Sequence, residues 1–423
     1  MRDVLETEGN GPLWQSGAIM TNVKSDPNLL NEVREYGHFD VNACYQCGSC
    51  TVSCSLAKDS ASFPRRTMRY VLLGLKGLLR GSLEPWLCYY CGDCSTACPR
   101  ETEPGEAMMT LRRYLTSRYD WTGLSRKFYQ SKAWELGGLF AVGAFMALLI
   151  LLFHGPLVTE RVELNTFAPV HLVHYFDLAM FAVLAFFLFT NAFRMYWFIM
   201  HEGRGAGILD IIRGFKEDGF GYVRREGEKV RIPLIVFLSQ VWTIIWNFAS
   251  QKLFLACSRN TGRWLKHFLL VSGYVLMLLL VVVFLLWFQT DNIYPLYHPQ
   301  RWLGYYATAV LLYGALEIII GRIRKREQIH RFSDFSDWMF PVLLLLTAVT
   351  GILVHIFRYM GLPLATYYMY SIHLVIAVAM LVVEVPFGKW AHLLYRPLAV
   401  YFQAVREKAL EQKVPEGAVL DHA

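Results

Sequence analysis

A chain of 423 residues has room for two or three domains, yet with 55% hydrophobic and only 18% charged residues, the apolar ones clustered in its second half, it is no ordinary soluble protein. Most of the basic residues behind the formal charge of +7 sit beside apolar stretches, where they act as topology signals, so nucleic acid is not an expected partner. Eight of the nine cysteines fall between Cys44 and Cys98 in two matching runs, a pattern of metal ligation rather than of a disulfide framework.

In chain order, residues 1–40 read as an N-terminal extension. Met1 to Asn22 lacks a basic region followed by an apolar one and so does not read as a signal peptide. Ser25 to Gly37 predicts a short helix, with a capping Ser or Asp, Pro27 near the first turn and Gly37 at the stop. Residues 41–131 read as a small ferredoxin-like domain. Cys44-x2-Cys47-x2-Cys50-x3-Cys54 is followed by Cys88-x2-Cys91-x2-Cys94-x3-Cys98-Pro99, the bacterial two-cluster pattern. Three thiolates at intervals of three wrap one cubane, and the distant fourth closes its neighbour. Cys44, Cys47, Cys50 and Cys98 are therefore assigned to one [4Fe-4S] cluster, and Cys88, Cys91, Cys94 and Cys54 to the other. All-cysteine zinc sites show separated CxxC pairs instead. Between the runs, Pro64 to Leu79 alternates apolar and basic residues as an amphipathic helix would, and Arg112 to Ser131 reads as a polar, basic connector.

Residues 132–397 read as a transmembrane domain with a cytoplasmic or interfacial insert at 203–263, and 398–423 as a cytoplasmic tail. Six spans reach the ~20 apolar residues that cross a bilayer: Trp134–Phe153, His174–Phe198, Trp264–Phe288, Trp302–Ile323, Trp338–Phe357 and Thr366–Phe387. Lys and Arg crowd the loops after the second and fourth, so both termini and the cysteine domain are expected to be cytoplasmic, in a bacterial inner membrane. Ile232 to Cys257 is apolar enough to pass for a seventh span. Its stripe of Ser239, Thr243, Asn247 and Gln251 predicts an interfacial helix instead. Cys257 reads as a small apolar residue. The expected fold class is thus all-α: a two-cluster ferredoxin-like helical domain followed by a six-helix transmembrane bundle, whose histidines suit a cytochrome b.

No CxxCH occurs, so any haem is non-covalent and needs axial histidines facing one another between helices. His267 and His392 fall near the cytoplasmic side. His373 falls near the outer side, with His355 or His174 as its partner. The two levels would carry two stacked haems across the bilayer. His373 and His392 are separated by about 28 Å of ideal helix at ~1.5 Å per residue. His154, His201 and His298 read as interfacial residues. Of the intramembrane carboxylates Asp177, Glu317 and Glu384, the last is the best candidate for a proton or quinone path.

The double cysteine run resembles the iron-sulfur C subunit of heterodisulfide reductases. The membrane half resembles the cytochrome b of the same enzymes, their E subunit, and the gamma subunit of respiratory nitrate reductases. His373-Leu-Val-Ile through Pro386-Phe387 to His392 is similar to the last helix of that gamma subunit, where both histidines are haem ligands, with one extra residue here. Trp264-Leu-Lys-His267 with Gly273 is similar to the helix carrying the partner histidines, but Met277 stands where the second is expected. Fusion of the two modules is similar to the family of C subunits found in quinone-interacting membrane-bound oxidoreductase complexes. That resemblance implies two [4Fe-4S] clusters, b haems, menaquinone as membrane substrate, partner subunits with flavin and further Fe-S clusters, and adenylylsulfate reductase as eventual acceptor. The alternatives are a heterodisulfide-reductase-like or sulfite-reduction-linked membrane complex, or a non-catalytic anchor for an Fe-S enzyme.

Overall fold

The computed structural model describes residues 24–57, 63–225, 228–257 and 261–412. The expectations for Met1 to Asn22, and for the Cys257 side chain, lie outside what is described. Among the described residues the regular structure is helical apart from one antiparallel hairpin, Tyr222–Arg225 with Glu228–Arg231, in which Val223 faces Val230.

Six helices are long and apolar enough to cross a membrane: Lys132–Phe153, Val170–Met200, Thr261–Val282, Pro299–Arg324, Phe335–Tyr359 and Pro363–Phe387. They match the expected spans and are consistent with a multi-pass membrane protein. Their outward faces carry large apolar side chains such as Phe140, Leu151 and Phe189, each more than two-thirds exposed, a surface suited to hydrocarbon and not to water. The third span stops at Val282 and a separate turn, Leu285–Phe288, completes the apolar run. The sixth span is the hub, packing on the first, second and fifth.

Ile232 to Cys257 is not among the six long helices. It breaks into Leu234–Gln240, Trp242–Ser250 and Lys252–Cys257, the last break at Gln251 with φ +50°. Val236 and Phe237 point inward, while Ile235, Leu238, Trp242 and Trp246 are more than half exposed, as an interfacial segment requires.

The cysteine domain departs from expectation in two places. The helix expected over Pro64 to Leu79 is two, Arg65–Leu72 and Lys76–Arg80, because the chain turns at Gly74 (φ +68°), where a Cβ would overlap the Asp26 carbonyl. Arg112 to Ser131, read as a polar connector, continues the largely buried helix Pro104–Tyr119 and then forms Leu124–Gln130. Arg113 faces inward, where buried acceptors wait for it, while Arg126 is exposed. Arg113 donates to the Tyr36 carbonyl at 3.0 Å and to Asp337 of the fifth span at 2.8 Å.

The stretch read as a tail is, as far as residue 412, mostly the helix His392–Glu411. Tyr395, Ala399, Phe402 and Val405 are buried in one core with Trp86, Tyr114, Tyr119 and Trp197. Each such aromatic burial stabilises by roughly 1.5–3 kcal/mol, so this core is the adhesive between cysteine domain and membrane domain. His201 belongs to it as well: fully buried and stacked on Trp197 at 3.8 Å, it is a core residue and not an interfacial one.

Candidate electron-transfer sites

The two cysteine runs fold alike. In each, the residue before the second cysteine and the glycine after it have positive φ: Gln46 (56°) with Gly48 (90°), and Tyr90 (53°) with Gly92 (94°). A helical turn follows each glycine, Ser49–Val52 and Asp93–Thr96, and these turns pack on one another. The packing crosses the ligand sets. One narrow cavity is lined by Cys88, Cys91, Cys94 and Cys54, closed by Phe63, Pro64 and Met108. In that cavity the fourth cysteine of the first run lies beside the first three of the second.

The sulfurs are set up to carry negative charge. Tyr90 N–H donates to Cys88 Sγ at 3.3 Å and Gln46 Nε2 to Cys44 Sγ at 3.4 Å, while Thr102 Oγ1 lies 3.2 Å from Cys98 Sγ. Burial pushes the Cys54 thiol up to about 11. The thiolate form therefore needs a bound cation to compensate it. Four sulfurs around this cavity, with the Tyr90 N–H behind Cys88 Sγ, fit an iron-sulfur cube.

A second cavity, of about 290 Å³, opens between the cysteine domain and the membrane helices. His267 of the third span and His392 both line it. Each imidazole is anchored through Nδ1, His267 to Gln251 Oε1 at 2.7 Å and His392 to the Lys389 carbonyl at 2.6 Å. With an acceptor holding Nδ1–H, Nε2 of each ring is left unprotonated and free to bind a metal. Burial also keeps His392 neutral, its pKa pushed down to about 3. Seven basic and four acidic side chains line the cavity, an excess suited to an anionic ligand. Tyr274 Oη, Arg322 Nε and His330 Nδ1, also at its wall, have no protein partner. A haem with its two carboxylates fits this donor set.

The two cavities meet. Tyr90 lines both, and its hydroxyl donates to Glu106 Oε2 at 2.9 Å. Arg112 and Arg396, on the wall of the larger cavity, both donate to the carbonyl of Cys88. Arg263, from the start of the third span, donates to the carbonyl of Tyr90 at 3.0 Å.

The outer histidines are placed differently. His373 Nδ1 is 3.1 Å from both the Thr347 carbonyl and Thr350 Oγ1. His355 Nε2 lies 2.9 Å from Tyr305 Oη, and His174 Nδ1 is buried without a partner. None of the three lines either cavity, and no contact joins His373 to His355 or His174 among the described residues. The inner pair shares a cavity; His373, like His267 and His392, is anchored through Nδ1, which leaves its Nε2 as the free nitrogen.

Residues 40–102 match the 4Fe-4S dicluster domain family. The chain is 36% identical over 93 residues to an iron-sulfur C subunit, the second of that kind, of the CoB–CoM heterodisulfide reductase of Methanocaldococcus jannaschii, covering 20% of this chain and 50% of that protein. It is 32% identical over 88 residues to a protein of Archaeoglobus profundus named for its likeness to the heterodisulfide reductase C subunit, covering 21% and 47%. The chain spans about half the length of these curated relatives. No solved structure matches it. The N-terminal part is thus a 4Fe-4S dicluster domain similar to that of the heterodisulfide reductase C subunit.

Proposed function

We propose that this chain is the membrane subunit of a respiratory complex, passing electrons between menaquinol and soluble flavin and Fe-S subunits by way of b-type haem and two [4Fe-4S] clusters, towards adenylylsulfate reductase. The observation that carries the reading is the junction of the two cavities at Tyr90 and the Cys88 carbonyl, which sets the His267–His392 pair next to one cysteine set. A haem there would supply one-electron chemistry between a two-electron quinol and the clusters. The chain's own part is to hold it by His267 and His392, to fix both rings through Gln251 and Lys389, and to meet its carboxylates with the surrounding arginines.

The placing of the basic loops supports a cytoplasmic cysteine domain. Arg331, after the fourth span, donates to Glu103 at 3.1 Å, and Gly203, after the second, is pressed against Gly77. Both positively charged loops therefore sit on the cysteine-domain side. A heterodisulfide-reductase-like complex is the second reading, favoured by the names of the two relatives; it changes the soluble partner and leaves the membrane half as described.

The test is to add a reduced menaquinone analogue anaerobically to the purified protein and follow the haem b absorption bands. Reduction of the haem is the expected result. Haem that dithionite reduces and quinol does not would leave the chain as an anchor for an Fe-S enzyme.

A further inference from the structure

Glu135 opens the first span and Glu384 lies in the last turn of the sixth, and these two spans pack directly on each other. The residues are 3% and 1% exposed and lie beside one another where the two spans pack. Two carboxylates side by side in so dry a place cannot both be ionised without a large cost, so one of them holds a proton. The pair is therefore a proton-holding unit with one negative charge at most.

The charged and titratable groups around it are few. Asp337 of the fifth span and the Lys389 ammonium are bonded to each other. Tyr129, from Leu124–Gln130, faces the pair from the cysteine-domain side. Lys389 reaches the pair through its backbone: its N–H donates to Glu384 Oε2 at 3.2 Å, while its carbonyl holds His392 Nδ1. One residue thus joins the carboxyl pair to the ring that lines the larger cavity. Gly388 permits the approach, since a Cβ there would overlap Glu384 Oε2.

We infer that Glu135 and Glu384 form a redox-linked proton site, taking up one proton when an electron reaches the centre held by His267 and His392 and releasing it when the electron leaves for the clusters. The inference rests on the haem reading above. On uptake the singly charged pair becomes a neutral diacid, offsetting the charge of the added electron; the electron comes from the quinol and the proton from water. In so dry a setting an uncompensated charge is costly, which is what ties the two events together. Arg113 and Asp334 extend the polar path from Asp337 to the surface, where the Asp334 side chain is 44% exposed.

The experiment is a redox titration of the haem at several pH values, in wild type and in the Glu135→Gln/Glu384→Gln double variant, with redox-induced infrared difference spectra of both. The wild-type midpoint potential should fall as pH rises, and a carboxylic acid C=O band should change on reduction. The double variant should lose both the pH dependence and the band while keeping its haem spectrum. Equal slopes in the two proteins, or no carboxyl band that responds to reduction, would overturn the inference. Should the double variant fail to assemble, Glu384→Gln alone decides by the same two readouts. Wild-type protein that purifies without haem would instead sink the haem reading and the redox linkage with it. A resting carboxylic acid band lost in the double variant would then still report the shared proton.

Discussion

Crossed ligation makes Cys54 the most informative single position in the cysteine domain. It belongs by sequence to the first run, yet it shares a cavity with Cys88, Cys91 and Cys94 and with no other cysteine. Cys54→Ala removes one of four thiolates and leaves the others in place. If four ligands together contribute on the order of 10–16 kcal/mol, as in structural zinc sites, one is worth about 3–4 kcal/mol, or several hundred-fold in retention of the cluster. Iron content should fall from about eight to about four atoms per chain, the two-cluster complement less one cube. Low-temperature EPR of the reduced protein identifies which cube is lost. The Cys54→Ala spectrum should coincide with that of Cys91→Ala and differ from that of Cys47→Ala. If it coincides with Cys47→Ala, each run holds its own cube and the grouping is wrong.

Other consequences follow from the same geometry. His267→Ala and His392→Ala should each remove the same haem signal, measured as pyridine haemochrome per chain; two different losses would mean that the rings serve different centres. Burial raises the Glu106 carboxyl to about 7 from 4.5, so its contribution to stability is full below about pH 4.5 and is lost as pH rises through 7. Glu106→Gln should remove that loss, on the order of 3 kcal/mol, from a pH series of detergent-denaturation curves, whereas unchanged curves would refute it. Gly203→Ala puts a Cβ into the Gly77 backbone at φ +73° and should destabilise the seat of the cysteine domain on the membrane helices by about 2–4 kcal/mol. Limited proteolysis after Arg80 should then become faster, and an unchanged rate would show that the loop gives way cheaply.

The sequence was most legible where chemistry imposes a spacing. Cysteines at fixed intervals and ~20-residue apolar runs leave little freedom; the six long helices fall where they were read, and Cys54 shares a cavity with Cys88, Cys91 and Cys94. His267 and His392 were legible because topology sorts histidines by depth. What was missed lies between elements. Gln251 stood out as polar in an apolar stretch, but nothing in its spacing tied it to His267, 16 residues on. Glu135 was not singled out at all, and only packing of the first helix on the sixth sets it beside Glu384. Arg112 and Arg113 read only as part of a polar, basic connector. Their acceptors, the carbonyls of Cys88 and Tyr36 and the carboxylate of Asp337, come from distant segments and carry no local signature. For the outer histidines depth gave a level, while their neighbours, Thr347 and Thr350 for His373 and Tyr305 for His355, carry no spacing signature.

The central claim is electron continuity from the membrane, through the His267–His392 site, to the clusters. Its most direct test is anaerobic rapid mixing of menaquinol with the intact protein, following haem and cluster absorption together, in wild type and in His392→Ala. The expected result is cluster reduction that tracks haem reduction in wild type and stops in the variant, whose clusters dithionite still reduces. Clusters that quinol reduces equally fast without His392 would contradict the route.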